Sequence, residues 1–204
     1  MPLIKAFRMD GLGNRFIIID RRKNFISIPK EKIVHLGNLK SFHRNIEFDQ
    51  IIFIEKEINN TFPITIFNSD GGEVSACGNG SRCVAYLLSK DINNKEIKLK
   101  TNNRLLNAKI IGKSDVQLEM GKPIFEWNKI PLKEKLDHKN ITLDIDGKEF
   151  TDGFSLNVGN PHIVFFVKDC FKYDLKILGP KIETHELFPE RTNVTFAQID
   201  DENN

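Results

Sequence analysis

Cysteine is scarce. The chain has three in 204 residues, an odd number that cannot close a paired disulfide framework. A reducing compartment, the cytoplasm, fits that usage, and each thiol is read on its own chemistry. No apolar run approaches the roughly 18–20 residues that a membrane helix needs, so no membrane partner is expected. The opening MPLIKAFRMD lacks the apolar core of a signal peptide, and the expectation is a protein that is not exported. An excess of one charge is missing too: 30 Lys plus Arg against 28 Asp plus Glu leave +2. Dedicated nucleic-acid binders carry a clustered basic surplus, so no nucleic-acid partner is expected. The carboxylates show no metal-loop spacing, the cysteines no zinc pattern, and no glycine-rich loop fits a nucleotide template. No metal and no cofactor are therefore expected. What is there is ordinary for a globular protein, with 40% hydrophobic and 28% charged residues. The length allows one domain or two small ones.

Strand patterns dominate. The β-branched and alternating runs at 16–20, 50–55, 62–67, 96–101, 105–111, 116–120, 141–145, 153–158, 163–167 and 194–199 predict strands. Asp146-Gly147 predicts a tight hairpin turn, and the loop 112–115 a second one. Helical signals are fewer, at about 78–88, 175–185 and, after Pro29, 30–35. The class is α+β with strands in the majority. The stretch 122–139 holds Pro123, Pro131, the single Trp127 and several lysines. It reads as a crossover between two halves, with its lysines on a solvated face. The tail 200–204 is polar and is expected to fray.

The two halves echo each other. Gly13-Asn14 precedes the apolar run 16–19, and Gly159-Asn160 precedes Pro161-His162 and the apolar run 163–167. Later in each half an amide leads a strand, Gln50 and then Asn193. The first offset is 146 and the second 143, close enough for one repeat. By that offset the counterpart of Cys77 falls near position 220, past Asn204.

Cys77 carries the clearest chemistry. It follows the turn 68–72, rich in Asn, Asp and Gly, and stands just before the helix expected at 78–88. The free backbone N–H groups of a helix start, with the helix dipole, stabilise an anion. The expectation is a Cys77 pKa below that of an ordinary thiol. The same amides could hold a substrate carboxylate, and a thiolate beside them suits proton abstraction alpha to it. A cysteine among glycines also fits a tight turn with no chemical role, and both readings stay open here. Cys83, on another face of the helix, reads as a core thiol, and Cys170 as a structural residue at a strand end. His162 sits in a turn where it could tune the pKa of an adjacent group. His35, His43, His138 and His185 have no partner pattern and read as surface residues.

The residues resemble the diaminopimelate epimerase family. The matching pieces are GLGN at 11–14, FDQ at 48–50, FNSDGGEVSACGNGSRCVA at 67–85, GNPH at 159–162 and FPERTNV at 188–194. The resemblance implies two pseudo-symmetric βα domains, 1–121 and 122–204, with the substrate in the cleft between them. It implies epimerisation of LL-2,6-diaminopimelate to the meso form, without pyridoxal phosphate, by one cysteine that removes the alpha proton and a second that returns one to the other face. Cys77 matches the first of these. Asn14, Gln50, Asn68, Asn160 and Asn193 match side chains that hold the diamino diacid, and Gly78 and Asn79 match the amides on its carboxylate. His162 matches a residue that modulates a catalytic thiol.

Two departures qualify the resemblance. The family pattern continues beyond Asn204 with a Glu-Arg pair and a second glycine-rich cysteine, so the second domain is expected to be incomplete and the 204-residue chain poorly active or inactive. An unpaired sheet edge would then favour association, which leaves room for a homodimer. Asp10 and Arg15 also flank GLGN where the family has His and Asp. The alternatives are another cofactor-free amino-acid racemase or isomerase of the same fold, and a non-catalytic binding remnant.

Overall fold

The computed structural model describes residues 5–38, 47–102 and 104–200. The tail 201–204 and His43, both subjects of the expectations above, lie outside the described residues. The elements run β1 (Ala6–Gly11), β2 (Asn14–Asp20), α1 (Lys30–Asn38), β3 (Gln50–Ile54), β4 (Phe62–Asn68), β5 (Glu73–Val74), α2 (Gly78–Ile92), β6 (Glu96–Lys100), β7 (Leu105–Ile110), β8 (Val116–Glu119), β9 (Ile141–Ile145), β10 (Lys148–Asn157), β11 (Pro161–Phe166), α3 (Leu175–Glu183) and β12 (Asn193–Ala197). They form two compact units, 1–120 and 121–204. The mixed class matches the α+β expectation.

In the first unit the strands follow the order β1-β2-β3-β4-β6-β7-β8, with β5 added to β4. The β1–β2 hairpin turns through Leu12 and Gly13, both at positive φ (49° and 87°). That two-residue turn matches the strand twist and is what the GLGN segment builds. The sequence reading missed β1 and β5. β1 alternates only between half-buried and exposed residues, and β5 has two residues, so neither carries a strong apolar signal.

The core explains why the elements form. Ser81, Val84, Ala85 and Leu88 of α2 recur at helical spacing and are buried. Val84, Ala85 and Leu88 pack with Phe16, Ile18, Ile52, Ile54, Ile66, Ile97 and Leu99 in one cluster. The opposite face of the same strands contributes Ile19, Ile51 and Phe53, packed with Ile33 of α1. β3 is therefore buried on both faces, which accounts for its unbroken apolar run. α2 closes at Asn93, whose left-handed backbone lets its N–H reach the Ser89 carbonyl.

In the second unit the order is β12-β11-β10-β9. Asp146 and Gly147 take positive φ (57° and 79°) and make the expected hairpin turn between β9 and β10. Ile141, Leu143, Ile163, Phe165, Ile182 and Phe196 form the core, with Ile130 and Leu132 buried among them. The stretch 122–139 is thus built into this unit and is not a free crossover. β11 and β12 lie parallel, with α3 between them in sequence. Asp174 caps α3 by accepting the Lys176 N–H at 2.9 Å. Cys170 is not at a strand end. It opens a single 3-10 turn, Cys170–Lys172, capped by Asp169.

Candidate active site

Cys77 is the N-cap of α2. Its backbone is extended (φ −149°, ψ 106°), and its Sγ accepts the Gly80 N–H at 3.3 Å. A thiol thus stands where an oxygen side chain usually caps a helix. The chain reaches this position through a tight turn: the Asn68 carbonyl accepts the Gly71 N–H at 2.8 Å, and Asp70 Oδ1 accepts the Gly72 N–H at 2.7 Å. Gly80 has no room for a side chain. A Cβ there would lie 2.5 Å from Ile52 Cδ1, 3.2 Å from Phe16 and 3.4 Å from Cys77 Sγ. The helix start is therefore packed directly on β2 and β3.

The charge state of Cys77 corrects the sequence expectation. Burial pushes the thiol above its ordinary value, and this outweighs the Gly80 and Asn79 N–H groups and the positive charge of Arg82, which pull it down. The donors are present as expected. What the motif does not record is how much water the fold removes. Cys83 is buried as expected, and its thiol is pushed up to about 11, chiefly by the same loss of water.

The expected amides of the first unit form two hydrogen-bonded pairs. Asn79 Nδ2 donates to Asn14 Oδ1 at 2.9 Å, and Arg82 donates to Asn79 Oδ1. Gln50 Nε2 donates to Asn68 Oδ1 at 3.0 Å, across a register pair of β3 and β4. Gln50 Oε1 is buried with no hydrogen-bond partner. A buried acceptor of this kind costs about 1–3 kcal/mol unless a ligand or water donates to it. Gly78 opens α2, and a Cβ on it would lie 3.2 Å from Met120 Sδ. Asp10 and Arg15 face each other across the β1–β2 hairpin. The Arg15 guanidinium bonds Glu47 at 2.7 Å, and its backbone N–H bonds Asp49 Oδ2 at 2.7 Å, so the Arg15 charge is engaged locally. Arg82 was not singled out from the sequence. Its signal is a cation early in a helix whose first turn holds no acid.

The second unit gathers three more of the expected residues at one end of β11 and β12. His162 and Asn193 are register partners. His162 Nε2 lies 3.0 Å from Asn160 Oδ1. An amide oxygen only accepts, so Nε2 carries the proton of this contact. Burial lowers the His162 pKa, which keeps the ring neutral near pH 7 and leaves Nδ1 as an acceptor. Asn193 Nδ2 donates to the Pro161 carbonyl at 2.9 Å. His138 and His185 are not plain surface residues. His138 is half-buried and stacks on Phe125 with ring centroids 5.0 Å apart. His185 Nδ1 accepts the Leu187 N–H at 3.2 Å.

A cavity of about 720 Å³ lies on the solvent side of β6–β8. Four of its polar groups are paired, Asn107 bonded to Glu119 at 2.9 Å and Lys109 with Glu96 at 3.6 Å. No cysteine or histidine lines it, so it is not taken as the reacting site. Among the described residues, no group of three or more His, Cys, Asp or Glu is placed to hold a metal ion, and no helix is long and apolar enough to cross a membrane.

A family model described as diaminopimelate epimerase matches residues 6–126. A diaminopimelate epimerase of Pelagibacter ubique is 47% identical over 199 residues, which is 96% of this chain and 71% of that protein. One from Wolbachia sp. subsp. Brugia malayi is 37% identical, covering 95% of this chain and 71% of that protein. Among solved structures, a hydroxyproline epimerase from Agrobacterium vitis with bound trans-4-hydroxy-L-proline superposes with a TM-score of 0.52 at 14% identity, covering 89% of this chain and 54% of that one. At that identity the likeness concerns the fold alone.

Proposed function

The chain belongs to the diaminopimelate epimerase family, and from that premise we propose that it serves the epimerisation of LL-2,6-diaminopimelate to meso-diaminopimelate, a step toward lysine and peptidoglycan precursors. The observation that carries the reading is the thiol of Cys77 at the start of α2, with the Gly80 N–H on its sulfur. Cys77 removes the alpha proton. The charge left on the alpha carbon spreads into the adjacent carboxylate, and the Gly78 and Asn79 N–H groups stabilise it there. A thiol whose pKa burial has raised gives, once ionised, a stronger base, which suits a weakly acidic carbon. The positive charge of Arg82 and the helix-start donors limit how far burial raises that pKa.

Asn14, Gln50, Asn68, Asn160 and Asn193 hold the two amino-acid ends in this proposal. The buried, unpartnered Gln50 Oε1 supports it, because a substrate ammonium would supply the missing donor. His162, neutral and with its tautomer set by Asn160, is assigned in this proposal the part of adjusting the protonation of a catalytic thiol. Inversion needs a second proton donor on the opposite face. Cys170 opens a 3-10 turn capped by Asp169 and lacks the helix-start setting of Cys77, so it is not assigned that part. The three cysteines are free, which supports a cytoplasmic setting. β1 and β8 end the first sheet, and pairing along such an edge would give a homodimer.

The test is to incubate the protein with LL-diaminopimelate and to measure meso-diaminopimelate by chiral chromatography, beside proline and hydroxyproline. Cys77-dependent exchange of the diaminopimelate alpha hydrogen with solvent, lost in Cys77→Ala, is the expected result, with meso-diaminopimelate formed by the 204-residue chain slowly or not at all. Racemisation of proline or hydroxyproline alone would replace this reading with that of another cofactor-free racemase.

A further inference from the structure

We propose that Arg82 is a positioning residue for substrate recognition: by donating to Asn79 Oδ1 it fixes the polarity of the Asn79–Asn14 amide pair, so that Asn14 meets the substrate as a donor and reads a carboxylate oxygen. The inference rests on the proposed epimerase reading, because it names the substrate group that Asn14 recognises.

A guanidinium has donors and no acceptor. The atom of Asn79 that faces Arg82 must therefore be Oδ1. Asn79 Nδ2 is then committed to its other neighbour, Asn14, at 2.9 Å. A donor faces only an acceptor, so Asn14 turns Oδ1 toward Asn79 and is left with Nδ2 to offer. Without Arg82 either amide could rotate by half a turn at little cost, and Asn14 would present oxygen as readily as nitrogen. A carboxylate would then meet a lone pair in part of the population.

The placement of Arg82 argues against a purely structural role. It lies near the start of α2, where a cation opposes the helix dipole, and the first turn has no acid to offset it. Among the described residues no carboxylate forms an ion pair with it. Helical side chains lean toward the N-terminus, and Arg82 Nη1 comes within 3.9 Å of the point where a Cβ on Gly78 would lie. The guanidinium thus reaches back over the first turn, toward the amides and Cys77. A local rule broken at a site marks a functional demand there.

The experiment uses protein labelled with ¹⁵N-asparagine, with the side-chain NH₂ signals of Asn14 and Asn79 assigned by Asn14→Asp and Asn79→Asp. Their exchange with solvent is measured with and without diaminopimelate, and the ligand's Kd is measured by calorimetry. In the native protein the Asn79 NH₂ exchanges slowly without ligand, and the Asn14 NH₂ slows only when diaminopimelate binds. Arg82→Met speeds exchange at Asn79 and raises the Kd by about tenfold, the scale of one lost hydrogen bond to a charged group. Arg82→Lys, which keeps a cationic donor, restores both in large part. If Arg82→Met leaves exchange and Kd unchanged, or if a folded Arg82→Lys restores neither, the proposal is overturned. If Arg82→Met does not fold, Asn79→Asp decides. It keeps the acceptor for Arg82 but has only oxygen for Asn14, so binding weakens by at least as much, and native affinity in that variant refutes the proposal. If the native protein neither binds nor converts diaminopimelate, the functional reading fails, and the ligand-free exchange rates still decide the part played by Arg82.

Discussion

His162 occupies in the second unit the register position that Phe16 occupies in the first. Phe16 is the partner of Gln50 across the parallel strands β2 and β3, and His162 is the partner of Asn193 across β11 and β12. In each case an asparagine, Asn14 or Asn160, stands two residues earlier. In each case a hairpin strand precedes and a helix links the parallel pair. The strand–helix–strand unit is thus used twice, and each copy places an asparagine and a second amide at the same end. The difference between the copies is an apolar ring in one and a titratable ring in the other.

That difference gives a pH prediction. Burial lowers the His162 pKa, so the folded state prefers the neutral ring. Its stabilising contribution is complete above the ordinary histidine midpoint and is lost as pH falls through the lowered folded midpoint. Proton NMR of the ring should show a midpoint below 6.5. His162→Phe, which copies the other half, should fold and remove this part of the acid dependence. A midpoint at or above the ordinary value would contradict the burial of the ring.

The thiols give a second. Cys77 is half-buried and Cys83 is buried, with Cys83 shifted to about 11 from an ordinary 9.0. Iodoacetamide should label Cys77 before Cys83, and both rates should rise about tenfold per pH unit while the thiolate fraction remains small. A raised cysteine pKa favours the protonated form in the fold. Its contribution is full below pH 9 and fades as pH rises through about 11. Cys83→Ala should lower stability at pH 7 but flatten this alkaline decline. Urea melts at pH 7, 9 and 10.5 check it, and an unchanged slope would count against the assignment.

The Gly80 site gives a third. A methyl group there must displace Ile52 Cδ1 and Phe16 and crowd Cys77 Sγ. Gly80→Ala should cost about 1–3 kcal/mol through overpacking and should slow proton abstraction by moving the thiol. Ile52→Val, which removes the nearest methyl, should recover part of the stability in the double variant. If Gly80→Ala alone matched the native protein in melting and turnover, the close packing of the helix start on β3 would be wrong.

Much of this was legible in the sequence, for reasons that are local. The repeat showed because Asn14-x-Phe16 and Asn160-x-His162 recur at matching distances from Gln50 and Asn193. The helix start at Cys77 showed because Gly78, Asn79 and Gly80 follow a strand and a turn. The parts that did not show depend on what is brought close in space. β1 carries little apolar signal because it lies at the end of its sheet. Ile130 and Leu132 looked like linker residues, and only the assembled sheet buries them. The direction of the Cys77 shift is a contest between burial and donors, and the spacing reveals only the donors. Arg82 stood inside the matched motif, but its partner Asn79 gains meaning only through Asn14, which is 65 residues from Asn79 in sequence.

The proposed two-base reaction predicts an isotope pattern. A thiol carries one proton, so the proton that Cys77 removes stays on its sulfur until solvent or product chemistry replaces it. The proton delivered to the other face comes from a different group, already equilibrated with solvent. Where both bases act, the first meso-diaminopimelate formed in deuterium oxide should therefore carry deuterium at the inverted carbon, while unreacted LL-diaminopimelate stays unlabelled. Cys77→Ala should lower turnover by at least about 10²-fold, the lower range for loss of a positioned acid–base group. Cys77→Ser should fall between, since a hydroxyl keeps the cap on α2 but is a far poorer proton acceptor at neutral pH. Mass spectrometry of both stereoisomers at early times makes the distinction. Deuterium entering the substrate pool as fast as the product would mean that a single group, open to solvent, serves both directions, and the assignment of Cys77 to one face would fail.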